Sequence, residues 1–369
     1  MNKKILIPVL LSTLLAGAAR ADYDLVVVGS TAFRSVVFDR AASMYDGGIF
    51  TKYTNGNANT VTYSGTMSNL FGPSFGSTLV NFRFSFSGSG TGMGAVYSGS
   101  SVPVVDLSNG STNSMTPHMA LSDVYPATAN LPDGAFEQQI LGVVPFAFFH
   151  NNNAAGMASV TNITREQAIL LMTASGVVTS GGNVIQGMPT TYLGGTDTNA
   201  VYLVGRDSGS GTRITVQQDI QFTGTPVNWD LSSTPVISPA GGLSSGGTLV
   251  SQVKNTSLNA IGYAGLADIT SGTNEGSGPN QVTRMMYSGV PCNHTNVTTG
   301  AYPIWGYEHF VNVPGLSTQQ GQVRDALVTA ITDPNYQHTN TVYNIPFSSL
   351  SDMQVQRGGD GADITSKNF

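Results

Sequence analysis

Cysteine is almost missing from this chain of 369 residues: Cys292 stands alone, which excludes an internal disulfide and leaves no cysteine near the N-terminus to carry a lipid anchor. Charge is scarce as well. Asp, Glu, Lys and Arg make up 10% of the residues, against about 25% in ordinary globular domains. The 15 basic residues are outnumbered by 21 acids, for a net charge of -6; a chain this acidic lacks the electrostatic footprint of a nucleic-acid binder, so no nucleic-acid partner is expected. No stretch reaches the roughly 18 apolar residues of a membrane-spanning helix. The five histidines are scattered with no pair at metal-ligand spacing, so neither a metal nor another cofactor is expected.

The N-terminus reads as an export signal. Lys3 and Lys4 precede an apolar core over residues 5–16, and Ala19-Arg20-Ala21 supplies small residues before Asp22, so residues 1–21 are expected to be a signal peptide cleaved after Ala21. Its removal takes away Lys3, Lys4 and Arg20 and no acid, moving the charge from -6 to -9. The expectation is a periplasmic or secreted soluble monomer without a lipid anchor. Polarity comes instead from Ser, Thr, Asn and 44 glycines, while hydrophobic residues make up 40% and are well dispersed. That is enough apolar material for two compact lobes.

The most informative stretch is Val204-Gly205-Arg206-Asp207-Ser208-Gly209-Ser210-Gly211-Thr212-Arg213. Glycines let backbone N–H groups converge, Ser210 and Thr212 add hydroxyls, a following helix adds a partial positive charge, and Arg206 offers a planar fork of donors. The pattern suits an oxyanion, although a capped surface turn has the same composition. Two other segments repeat the plan of strand, small-residue turn and helix. Residues 24–28 lead through Gly29-Ser30-Thr31 into an amphipathic helix over 32–45, and residues 80–87 lead through Gly88-Ser89-Gly90-Thr91-Gly92 into a helix from Met93. Three such turns point to an α/β protein with its ligand groups at the C-terminal ends of strands.

Residues 141–149 (LGVVPFAFF) read as a buried strand in which Pro145 marks an edge or crossing point. Thr164 and Gln167 form a capping box for a helix through Met172. Residues 259–269 are a further apolar segment, 224–248 are expected to be loops, and a last helix begins near Ser317 and runs to Thr332.

The order of these segments resembles the phosphate-binding proteins of ABC-type phosphate importers, within the two-lobed periplasmic solute-binding class. The likeness covers nearly the whole mature chain and rests on GSTAFRSVVFDRAASMY at 29–45, FSGSGTG at 86–92, ALSDV at 120–124, ILGVVPFAFFHN at 140–151, NITREQA at 162–168, GRDSGSGTR at 205–213, NAIGYAGL at 259–266 and AYPIWGYEHF at 301–310. The resemblance implies an α/β two-lobed fold with two crossover strands and a ligand cleft between the lobes. Lobe 1 would hold residues 22–143 with 262–369, and lobe 2 would hold 144–261. The ligand would be inorganic phosphate, taken by an inner-membrane ABC permease, and the protein would not be an enzyme.

By matching position, Ala32 and Phe33 would give backbone N–H groups and Ser89 its hydroxyl and amide. Arg206, Ser210, Gly211 and Thr212 would close from the other lobe. Asp123 would select: a carboxylate only accepts hydrogen bonds, so it favours an anion that keeps a proton and repels sulfate. Two positions depart from the family. Ala32 stands where a threonine is usual, and Ser208 where an aspartate often follows the arginine.

Other readings remain open on the residues alone. The same fold could take another oxyanion or an organic phosphate, or the protein could have a secreted, non-transport role at a surface or in a matrix. Asp207-Ser208-Gly209 resembles the nucleophile turn of chymotrypsin-like proteases, but His118 and His150 lack a catalytic context and the α/β pattern disagrees with a double barrel. Trp229, Trp305, Tyr302 and Tyr307 could line a sugar cleft or pack a core.

Overall fold

The computed structural model describes residues 23–68, 70, 75–76, 78–180, 183–336 and 349–367. The expected signal peptide at 1–21 and His338 lie outside the described residues. Ten strands share one sheet: β1 (Tyr23–Gly29), β2 (Thr51–Thr54), β3 (Thr60–Thr66), β4 (Leu79–Phe86), β5 (Met119–Ser122), β6 (Glu137–Asn151), β7 (Tyr202–Val204), β8 (Ala260–Gly265), β9 (Val282–Arg284) and β10 (Trp305–Asn312). Their order is β7-β8-β6-β10-β5-β1-β4-β3-β2, with β9 also on β6. The longer helices are α1 (Arg34–Ser43), α2 (Ser89–Ser98), α3 (Arg165–Thr173), α4 (Gly211–Asp219), α5 (Gly246–Asn255) and α6 (Thr318–Thr332).

β1 shows why the sheet sits inside. Its run of Leu25, Val26, Val27 and Val28 is fully buried because both faces are covered, as in parallel sheets generally. Leu25 and Val27 join a core with Val36, Val37 and Ala41 of α1 and Leu327 and Ile331 of α6, while Val28 packs with Met93 and Val96 of α2. β1 pairs in parallel with β4 and β5, which brings the turns after β1, β4 and β5 to the same edge.

β6 joins the two lobes. Residues 137–145 pair with β10, and 146–150 pair with β8. The change of partner falls at Pro145, a residue with no N–H to give to a ladder. β8 and β9 pair with the second half of β6, and Met286–Tyr287 pairs with Asn162–Ile163. The chain rejoins the first lobe's sheet only with β10, against β5 and residues 137–145.

The capping box of Thr164 with Gln167 opens α3 as expected, and a second, of Ser317 with Gln320, opens α6. The expected start of a helix at Met93 is corrected to Ser89, so the glycine-rich stretch is itself helical. Glycine's poor helix propensity is overridden by packing, since a Cβ at Gly92 would stand 2.5 Å from the Gly29 Cα. The region 224–248 is mostly loop, but it contains the small pair Trp229–Asp230 with Val236–Ile237 and the start of α5.

Candidate functional site

Three helix N-termini meet at the edge of the sheet. α1 follows the turn after β1, α2 follows β4, and α4 follows the glycine-serine turn after β7, so their partial positive charges converge. The lobes are in contact here: the amides of Gly90 and Thr91 donate to the carbonyl of Gly209 across the cleft, at 2.9 and 3.4 Å.

Every residue singled out by the resemblance lies in this region. From the first lobe, Ser89 opens α2, Asp123 follows β5, and Ala32 and Phe33 precede α1; all four are buried. From the second lobe, Ser210 caps α4 by accepting from the Arg213 amide at 3.4 Å, and Gly211 and Thr212 form the helix's first turn. The Ser89 hydroxyl donates to Asp123 Oδ1, and Thr212 Oγ1 donates to Asp123 Oδ2 at 3.4 Å. A Cβ at Gly211 would stand 1.6 Å from Asp123 Oδ1, so any larger residue there must displace the Asp123 side chain.

Arg206 is 1% exposed. Its Nε donates to Leu243 O at 2.9 Å, Nη2 to Ser244 O at 2.8 Å and Nη1 to Thr212 Oγ1 at 3.4 Å. These bonds hold the guanidinium plane fixed and use three of its five N–H donors. Burial pushes the arginine's pKa down, and the charges of Asp268, Asp123 and Asp207 oppose that. Burial likewise raises Asp123, against the Ser89 hydrogen bond and the Arg206 charge.

Three residues of the site carried no signal in the reading above. Arg34, in the first turn of α1, donates from Nη2 to Asp268 Oδ1 at 2.8 Å and also binds Asn59. Asp268, in the short helix Leu266–Ile269 after β8, is buried and ranks first among the charges that act on Arg206. It therefore gives Arg206 the carboxylate that Ser208 lacks; Ser208 itself is exposed. Glu308, on β10, is completely buried beside Asp123. Arg34 adjoins Phe33 in GSTAFR and could have been suspected from that, whereas Asp268 and Glu308 depend on long-range packing.

The other candidate residues have structural surroundings. His118 Nδ1 accepts from the Val26 amide at 2.9 Å and its Nε2 meets Gln320, while His150 Nδ1 lies 2.8 Å from Asn151 O. Trp305 and Tyr302 are fully buried, Trp229 donates to Ser175 O at 3.0 Å, and the Tyr307 hydroxyl accepts from the Arg357 amide at 3.2 Å, so these aromatics pack the core. Among the described residues there is no group of three His, Cys, Asp or Glu able to hold a metal, and no helix long and apolar enough to cross a membrane.

No protein-family model matches the chain, and no curated protein matches it. Solved structures do. A Clostridium perfringens protein, assigned as a phosphate ABC transporter substrate-binding protein and solved with bound phosphate, is similar at 15% identity over 89% of this chain and 99% of its own, with a TM-score of 0.56. An ABC-type phosphate transport receptor from Vibrio cholerae is similar at 15% identity over 88% of this chain and 99% of its own, with a TM-score of 0.50. At these identities the likeness establishes the fold, the two-lobed α/β arrangement of solute-binding proteins.

Proposed function

We propose that this protein binds inorganic phosphate, as hydrogen phosphate, between its lobes and delivers it in the periplasm to an inner-membrane ABC permease, without catalysing a reaction. The observation that carries this reading is the meeting of Arg206, Gly211 and Thr212 with Ser89 and Asp123 across a closed cleft. In this reading the second lobe extends from 144 to about 287, following the strand pairing.

Arg206 and the three helix N-termini supply positive potential and hydrogen-bond donors to the anion's unprotonated oxygens, and Asp123 accepts from its protonated oxygen. Ala32 supplies no hydroxyl. The buried hydroxyls of Ser30 and Thr31, neither with a hydrogen-bond partner among the described residues, stand next to it in the chain and take that part. A net charge of -9 is no obstacle, since distant surface charge is screened over about 8–10 Å while the buried donors are not.

Titration calorimetry with phosphate and sulfate tests the reading. Phosphate should bind and sulfate should not, and Asp123→Asn should admit sulfate because an amide can donate where the carboxylate only accepts. Silence toward phosphate at millimolar concentration would remove the reading, and unchanged selectivity in Asp123→Asn would remove the role given to Asp123.

A further inference from the structure

Glu308 has an environment that the contacts described so far do not use. It is completely buried, and among the described residues neither carboxyl oxygen is in full hydrogen-bond geometry with a partner, the Ser30 hydroxyl alone lying close enough to act on it as a donor. In the antiparallel ladder of β10 with β5, His309 stands opposite Ser122, which sets 308 beside Asp123. On β6 its neighbour is Gly142, which brings no side chain. Ser30, from the turn after β1, is the other polar group it faces, and the Thr31 hydroxyl follows. Across the cleft, the charge and donors of Arg206, Thr212 and Thr215 reach Asp123, not Glu308. No cation contacts Glu308 among the described residues.

We propose that Glu308 is a further residue of the anion site, whose carboxyl O–H donates a hydrogen bond to a ligand oxygen beside the one that Asp123 receives. The Arg206 charge acts on Asp123 and no cation acts on Glu308, so a second ionised carboxylate would be an unpaired buried charge and Glu308 keeps its proton. Burial, then the Asp123 charge, push its pKa well above the usual glutamate range. A protonated carboxyl has a hydrogen to give, and here no acceptor among the described residues takes it. The pair then performs two opposite tasks on one anion: Asp123 takes a hydrogen from it, and Glu308 gives one. A ligand with a single proton and several bare oxygens satisfies both, which deepens the hydrogen phosphate reading and rests on it.

The test compares wild type, Glu308→Gln and Glu308→Leu by phosphate calorimetry over a range of pH, with the infrared spectrum of each protein. Glu308→Gln keeps a donor and should bind within a few-fold of wild type. Glu308→Leu removes it and should weaken binding by about ten-fold or more. Wild-type affinity should fall at alkaline pH relative to Glu308→Gln, the ligand's own ionisation being common to both. Wild type should also show a protonated-carboxyl carbonyl band that Glu308→Gln lacks and that shifts on adding phosphate, a readout that survives if Glu308→Leu fails to fold. Equal phosphate affinity in folded wild type and Glu308→Leu, or no such band, overturns the role of Glu308 and leaves the phosphate reading standing. If wild type takes up no phosphate, the phosphate reading falls and this inference with it.

Discussion

Arg34 Nη2 lies 2.8 Å from Asp268 Oδ1, and this ion pair ties the start of α1 to the short helix after β8. The Asp268 side chain is 3% exposed and that of Arg34 18%, so solvent screens the pair only in part. Burial raises Asp268, while Arg34 and then Arg206 lower it. With the second lobe running to about 287, as proposed above, its two ends fall on opposite sides of the cleft and opening the cleft would break it; Asp268 also supplies Arg206 with a counter-charge.

Asp268→Asn and Arg34→Met should each weaken phosphate binding, chiefly by faster release, and should expand the protein in small-angle scattering. A double-mutant cycle should return a coupling of roughly 0.5–3 kcal/mol. Unaltered affinity and unaltered dimensions in Asp268→Asn would remove the interlobe role.

Gly211→Ala tests the close approach of Asp123 to α4. The added carbon would stand 1.6 Å from Asp123 Oδ1, so the lobes cannot close as they do here, while alanine suits the first turn of a helix on its own account. Phosphate affinity should drop by about 100-fold, as expected from losing about two charge-assisted hydrogen bonds, with the circular dichroism spectrum preserved. Wild-type affinity in this variant would mean that the ligand does not sit at this helix terminus.

His309 makes stability depend on pH. It is 1% exposed, neither ring nitrogen has a partner among the described residues, and its ring meets the Tyr125 ring edge-on at 4.3 Å. Burial pushes its pKa down to about 4, from an ordinary value of about 6.5. Between these values the unfolded chain binds the proton and the folded chain does not, so stability falls as the pH is lowered. The loss should total about 3 kcal/mol once the pH is below both values. Asp360, raised by burial to about 6, acts with the opposite sign, its contribution being lost as pH rises through that value. Denaturant unfolding of wild type and His309→Phe across the acid range cancels the shared terms. The gap between the two should widen toward low pH in favour of the phenylalanine, and a pH-independent gap would contradict the assignment.

Much of the frame was legible because it rests on local rules. The buried run of β1, the capping box at Thr164 and the start of the last helix at Ser317 all follow from neighbouring residues. The start of α2 was not legible, since four glycines at 88, 90, 92 and 94 argue against a helix until β1 is packed against Gly92. The hairpin of β2 and β3 escaped because its polar residues show no clean alternation, and β3 is buried by neighbours distant in sequence. In the site, GRDSGSGTR announced itself through residue types that suit an anion or a turn, whereas Asp123 in ALSDV came only from the family resemblance. Asp268 and Glu308 sit in apolar strings, ADI and GYEHF, where a lone acid reads as a strand or helix edge. Their importance comes from what lies across the cleft and across the sheet.

The most direct measurement is calorimetric titration of phosphate into wild type, Arg206→Ala and Thr212→Val, each first shown to be folded by its thermal melt. Phosphate should bind to wild type, bind more weakly by about ten-fold to Thr212→Val, and show no measurable binding to Arg206→Ala. Wild-type affinity in a folded Arg206→Ala protein would contradict the account, because the anion would then be held somewhere other than the cleft where Arg206 meets Asp123.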